Sequence, residues 1–269
     1  MVPVVRNECD NILADWPDPT APEGALTLLS DLLACRSIDA AWGRFVTAMG
    51  ARGFVRMSYG NSRLRAKESG WDRRNSIILH HGPQAFFDAY IDGELFIHNP
   101  IFHWVRDRSG FATWEQARAA FSDKLTPELE KIRALEAKYG GEAGFTGSLS
   151  GLVPGLEGGI GLNLRPGVDE AGAQAIWASH GAELETAARA LHLRISSLPR
   201  SGATQRLTTR QRECLEWAAR GKRTRDIAAI MDLSVPTVEK HMRLAREALD
   251  SDSTAQAVHE AQTRNLLMV

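Results

Sequence analysis

The sequence predicts an α+β chain: an α/β/α sandwich around an antiparallel sheet, followed by a small all-α bundle. Three observations lead there. Helical and strand-like periods alternate up to about residue 195, the stretch SSLPRSGAT at 196–204 breaks them, and only helical periods follow residue 207. A length of 269 residues accommodates two such parts. The expected division is 1–195, a linker at 196–206, and 207–269.

In the first part, helical patterns fall at 24–35, 38–51, 83–92, 115–121, 126–138 and 169–195. Strand-like runs fall at 54–59, 76–80, 145–153 and 159–164. Pro154-Gly-Leu-Glu-Gly158 between the last two runs is a hairpin signal, which is why the sheet is expected to be antiparallel.

In the second part, Thr208 is an N-cap candidate for a helix that Gly221 closes. A short helix near 224–231 turns Ile227, Ala228 and Ile230 toward a core. Asp232-Leu233 makes a tight turn, Ser234 caps a third helix, and Pro236 sits in its first turn, where a missing N–H costs nothing. On that helix Val238, Met242, Ala245 and Leu249 form one apolar stripe. Thr237, Lys240, Arg243, Leu244 and Glu247 flank or oppose it. A short helix, a tight turn and a longer helix make helix-turn-helix geometry, whose last helix enters the major groove.

Charge and composition bound the function. Hydrophobic residues make up 43% and charged residues 24%, as in an ordinary globular protein, and no apolar run approaches the roughly 20 residues of a membrane span. The amino terminus meets acidic residues too early for a secretory signal, so a cytoplasmic protein is expected. Cys9, Cys35 and Cys214 lie too far apart for a metal site or a disulfide framework. His80 and His81 point to opposite faces of a strand and have no third ligand in view, so no metal is expected. Net charge is −1, yet residues 207–249 hold nine basic against six acidic residues, leaving +3 there and −4 elsewhere. Lys240 and Arg243 are placed to reach phosphates or guanine edges, with Thr237 and the cap Ser234 beside them. Lys222, Arg223 and Arg225 begin the preceding helix and suit backbone phosphates. There is no nucleophile elbow, phosphate loop or metal set, so an enzyme is not expected.

The segment LTTRQRECLEWAARGKRTRDIAAIMDLSVPTVEKHMRLAREAL resembles the LuxR-type helix-turn-helix along its full length. The resemblance rests on Leu207-Thr208, Arg210, Glu213, Leu215, Gly221, Ile227-Ala228, Ser234, Thr237-Val238, His241 and Leu249. Gln211 stands where that family usually has Glu, and a weakened internal polar contact is expected there. The resemblance implies a fourth helix, at 253–267, that pairs two copies. A homodimer on an inverted-repeat operator in double-stranded DNA follows from it.

Residues 30–195 resemble the autoinducer-binding domain of quorum-sensing LuxR-type regulators, through Pro83, Phe86, Tyr90, Asn99-Pro100, Trp114 and Gly144. The resemblance implies a small-molecule pocket containing Gly82, Phe86, Tyr90, Asn99 and Trp114. Three of these depart from the family pattern: Gly82 replaces a usual Tyr, Phe86 a usual Trp and Asn99 a usual Asp. In the family the Trp holds a lactone carbonyl, and Phe has no donor for it. The family's Asp accepts the ligand amide N–H, and Asn accepts without the charge. An unpartnered buried carbonyl costs roughly 1–3 kcal/mol, so the expected signal is something other than a standard acyl-homoserine lactone. Three readings stay open at this point: a non-standard ligand, a weakly held acyl-homoserine lactone, or a pocket filled by its own side chains. The last would make the chain a ligand-independent regulator or a heterodimerising anti-activator.

Overall fold

The computed structural model describes residues 4–7, 24–62, 76–120, 126–141, 143–199 and 207–267. Cys9 and residues 200–206 of the expected linker lie outside the described residues. The chain forms two compact units, Met1–Ser196 and Ser197–Val269.

In the first unit a sheet lies between two helical layers. Its strands are β1 (Val4–Asn7), β2 (Phe54–Ser62), β3 (Ser76–His81), β4 (Gly110–Thr113), β5 (Gly144–Ser148) and β6 (Glu157–Leu164), in the order β1-β3-β2-β6-β5-β4. Every pairing is antiparallel except β1 with β3, which is parallel. The strand expected at 145–153 ends at Ser148, and beyond it a Val153–Leu156 bridge closes the loop before β6.

The helices of this unit are α1 (Ala25–Ala34), α2 (Ile38–Gly50), α3 (Gln84–Phe87), α4 (Pro100–Asp107), α5 (Trp114–Ala119), α6 (Pro127–Tyr139) and α7 (Glu170–Ser197). α3 runs on into a π-turn at Asp88–Asp92, and a 3₁₀ turn at Leu95–His98 follows. α4 is absent from the sequence expectation, although its start is explicit. Asn99 accepts from the Ile101 N–H as N-cap, and Pro100 occupies the first turn.

Alternation along the strands assigns the two faces. Tyr59 of β2 bonds His192 of α7 (2.9 Å), while Phe111 of β4 and Phe145 of β5 stack on Trp177 of α7. Arg56, Gly159 and Asn163 belong to the opposite face, where a Cβ on Gly159 would meet Val105 of α4 at 2.3 Å.

The second unit contains α8 (Thr209–Ala219), α9 (Thr224–Met231), α10 (Val235–Ala248) and α11 (Thr254–Thr263). Two apolar clusters hold it together. Cys214, Ile227, Ala228 and Val238 pack the helix-turn-helix, and Leu207, Leu215, Ala245, Leu249, Ala257 and Ala261 seat α8, α10 and α11. The stripe on α10 is thus buried, with Met242 partly so. Ile230 corrects the expectation: it is 46% exposed, because α9 has only two turns and Ile227 and Ala228 already cover its contact. Gln211 also behaves better than expected. Thr208 Oγ1 accepts from its N–H and Gln211 Oε1 accepts from the Thr208 N–H (2.7 Å), a complete capping box that an amide oxygen serves as well as a carboxylate.

Gly144 shows how close β5, β6 and α5 lie. A Cβ there would stand 2.4 Å from the Leu162 carbonyl and 2.9 Å from the Trp114 ring. Gly144→Ala is therefore expected to destabilise the first unit by about 1–3 kcal/mol. The measurement is the urea midpoint, which should fall at unchanged slope.

Candidate ligand cavity and nucleic-acid interface

Between the sheet and the α3–α6 layer lies a cavity of about 190 Å³. Its floor is made of β2, β5 and β6, where Gly60, Gly159 and Gly161 present no side chains. A Cβ on Gly161 would meet nothing within 4 Å, so that glycine faces open space. Phe96, Ile101, Phe102 and Val105 supply apolar walls, and Phe86, Tyr90, Asn99 and Trp114 line it as well.

Of the five residues expected in the pocket, the structure thus gathers four. Gly82 is not among the lining residues. Its φ is +144°, and a Cβ there would stand 2.8 Å from Arg56 Cγ and 3.1 Å from His80 Nε2, so the glycine makes room for Arg56 rather than widening the cavity.

The polar groups are mostly committed. Trp114 Nε1 donates to the Phe145 carbonyl (3.0 Å), which makes the indole a wall rather than a donor to a ligand. Asn99 Oδ1 caps α4, and its Nδ2 donates to the Tyr90 hydroxyl (2.7 Å). The Tyr90 hydroxyl keeps its own hydrogen for another acceptor. Burial holds this phenol well above its ordinary pKa, with Glu136 adding to the effect, so it stays a neutral donor.

Arg56 and Glu136 also line the cavity and are not evident from local sequence. Arg56 is 5% exposed, and its guanidinium lies 3.8 Å from the centre of the Phe86 ring. Nη2 donates to Asn163 Oδ1 (2.6 Å) and Nη1 to the Tyr139 carbonyl (3.4 Å). Burial lowers its pKa to about 10, against an opposing push from Glu136, so it remains charged at neutral pH. Burial raises the Glu136 carboxyl, while Arg118, bonded to it at 3.0 Å, pulls the other way. An arginine within an apolar run has no strong sequence signature, since one face of a strand commonly carries a solvated charge.

His80 stands behind Phe86 with its ring stacked on it, Nδ1 bonded to Ser58 Oγ (2.9 Å) and Nε2 buried without a partner among the described residues. Burial, with help from the Arg56 and His81 charges, lowers its pKa to about 3. Burial alone lowers that of His192 to about 4. Both are neutral in the folded chain but titrate near 6.5 once unfolded. The unfolded state therefore takes up protons first, and stability falls as pH drops from 6.5 toward those values. Between about pH 7 and pH 5 each should remove on the order of 1–2 kcal/mol. Urea midpoints at both pH values should show the loss, and His80→Gln should make it smaller.

In the second unit, Ser234 Oγ accepts from the Thr237 N–H (3.3 Å) and also bonds Thr237 Oγ1 (2.7 Å), which fixes the start of α10. Lys240 and Arg243 are exposed on α10. They share a surface groove with Thr224, Glu239, Met242, Arg246 and Thr254, so Arg246 joins the basic residues named from sequence. Arg243 is paired with Glu247 at 2.6 Å. Lys222, Arg223 and Arg225 are exposed at the start of α9, where the Arg223 N–H donates to Asp226 Oδ2 (3.0 Å). Among the described residues no group of His, Cys, Asp and Glu could hold a metal ion, and no helix is long and apolar enough to cross a membrane.

Residues 37–195 match the family model of the autoinducer binding domain, and residues 205–261 match that of bacterial regulatory proteins of the luxR family. Transcriptional activator protein BjaR1 of Bradyrhizobium diazoefficiens is 24% identical over 187 residues, 68% of this chain and 72% of that protein. The HTH-type quorum sensing-dependent transcriptional regulator RpaR of Rhodopseudomonas palustris is 37% identical over 75 residues, which is 28% of this chain and 31% of that protein. Among solved structures, Escherichia coli SdiA superposes with a TM-score of 0.51 at 15% identity, over 91% of this chain and 98% of that one. SdiA in complex with octanoyl-rac-glycerol gives 0.54 at 15% identity, over 90% and 94%. At that identity the likeness is one of fold. With an autoinducer-binding domain over more than half its length and a luxR-type helix-turn-helix behind it, the chain belongs to the LuxR-type quorum-sensing transcriptional regulators and is a transcription factor, not an enzyme.

Proposed function

We propose that the cavity of the first unit takes a small signal molecule other than a standard acyl-homoserine lactone, and that its occupancy controls DNA binding by a homodimer. The open space above Gly161 carries this reading: a regulator without a ligand would fill such a space with side chains. Phe86 offers no donor at the place where the family's tryptophan acts, and the indole of Trp114 is already bonded to the sheet. The Tyr90 hydroxyl and the Arg56 guanidinium are donors within reach of such a ligand. A ligand that binds the folded unit stabilises it by mass action, and it shifts activity only as far as its affinity differs between the DNA-competent and incompetent states.

Filling the cavity tests the ligand half of the proposal. Gly161→Val places a branched side chain into open space on a strand that favours it. The unliganded variant should unfold within a few degrees of the parent, whereas the thermal shift given by acyl and aryl amides should vanish. A shift of parental size in the variant would move the ligand elsewhere.

On DNA, Thr237, Lys240 and Arg243 are proposed to read the major groove, with Ser234 fixing the helix start and Lys222, Arg223 and Arg225 on phosphates. Selection of random duplexes by the full-length chain should return an inverted repeat with half-sites about one helical turn apart. Lys240→Ala and Arg243→Ala should each weaken binding by about 1–3 kcal/mol if they read bases. A variant that loses a phosphate contact should flatten the salt dependence by about 0.9 per contact instead. Selected sites without two-fold symmetry would contradict the homodimer.

A further inference from the structure

Building on the reading of the cavity as a signal site, we propose that the ligand ends in a carboxylate, which Arg56 binds through its forked N–H groups.

Arg56 offers five N–H donors, and the structure gives it two neutral acceptors, Asn163 Oδ1 and the Tyr139 carbonyl. No carboxylate of the described residues pairs with it. Glu136, the acidic residue beside it, is engaged by Arg118 at 3.0 Å. Arg56 and Arg118 thus share one carboxylate at this end of the cavity, and His80 behind Phe86 is neutral. Arg106 adds nothing, because Asp107 binds it through both carboxylate oxygens. Glu157 lines the cavity too, but at the other end. It pairs with Ser62 while Asn163 pairs with Arg56, six positions along β2 and about 20 Å away.

A buried cation that must share its one nearby carboxylate, Glu136, with a second guanidinium is costly, and a ligand carboxylate supplies a partner of its own in a geometry that matches the fork. A lactone carbonyl offers one neutral oxygen and leaves the charge uncompensated. The cradle around Arg56 is specific: a Cβ on Gly82 would stand 2.8 Å from its Cγ, and one on Gly141 2.7 Å from its Nη2. The Phe86 ring supports the guanidinium from one face at 3.8 Å. Tyr90 can donate to the same ligand end, and Phe96, Ile101, Phe102 and Val105 suit an apolar body.

The test compares two ligands with one acyl amide: octanoyl-homoserine lactone and its ring-opened form, octanoyl-homoserine, which carries a carboxylate. Titration calorimetry and thermal unfolding of the full-length chain should show the carboxylate bound more tightly, on the order of tenfold. Arg56→Met should abolish that preference while its own melting transition shows that it folds, and Arg56→Gln serves if Met does not fold. Equal or tighter binding of the lactone overturns the proposal, as does a carboxylate preference that survives in the variants. Binding of neutral octanoyl glycerol alone would overturn the carboxylate yet leave the cavity a site for a signal other than a standard lactone, whereas tighter binding of the lactone would overturn that reading as well. Failure of all three to bind would overturn both readings.

Discussion

A guanidinium buried against a sheet must be solvated by protein, and much of the first unit is arranged around that requirement. Arg56 reaches across to Asn163 on β6 and to the end of α6 at Tyr139, and rests on Phe86 of α3. One side chain therefore ties the sheet to two helices of the layer that roofs the cavity. Gly82 and Gly141 yield the space it occupies, and His80 remains neutral partly because Arg56 is near. The cavity beyond Arg56 stays open for a complementary reason: the floor of β2 and β6 is built from glycine where the neighbouring face carries tyrosine and leucine.

The two units divide the labour by their chemistry. The first buries polar groups such as Arg56, Asn99 and His192 around its sheet and cavity. The second is a minimal bundle whose stripe of Val238, Ala245 and Leu249 leaves the other side of α10 to Lys240 and Arg243. The Arg243–Glu247 pair lies on that exposed side, and an exposed pair is weak enough to yield to a phosphate.

Much of this was legible in the sequence, and the exceptions have physical causes. Caps and periodicity placed the helices of the second unit, because each rests on local spacing such as Thr208 with Gln211 or Ser234 with Thr237. The aromatic residues of the cavity, Phe86, Tyr90 and Trp114, followed from the resemblance to the autoinducer-binding domain. Arg56 did not, since its partners lie 83 and 107 residues away and no local pattern marks them. Gly82 was readable as a departure but not as the space for a distant arginine. The start of α4 is legible in Asn99-Pro100, a capping residue followed by a first-turn proline, although the eight-residue helix is too short for its periodicity to stand out. Short edge strands such as β4, with four residues, carry too little alternation to stand out. The glycines at 158, 159 and 161 were a missed signal: glycine repeated within a strand marks a close approach or an open floor.

The account depends on Arg56 facing an open cavity. Electron density from crystals of the full-length chain tests this most directly. The account predicts a space bounded by Phe86, Tyr90, Asn99 and Trp114, with a small molecule or ordered water against the Arg56 guanidinium. Side chains collapsed into that space, or Arg56 turned out to solvent, would contradict it.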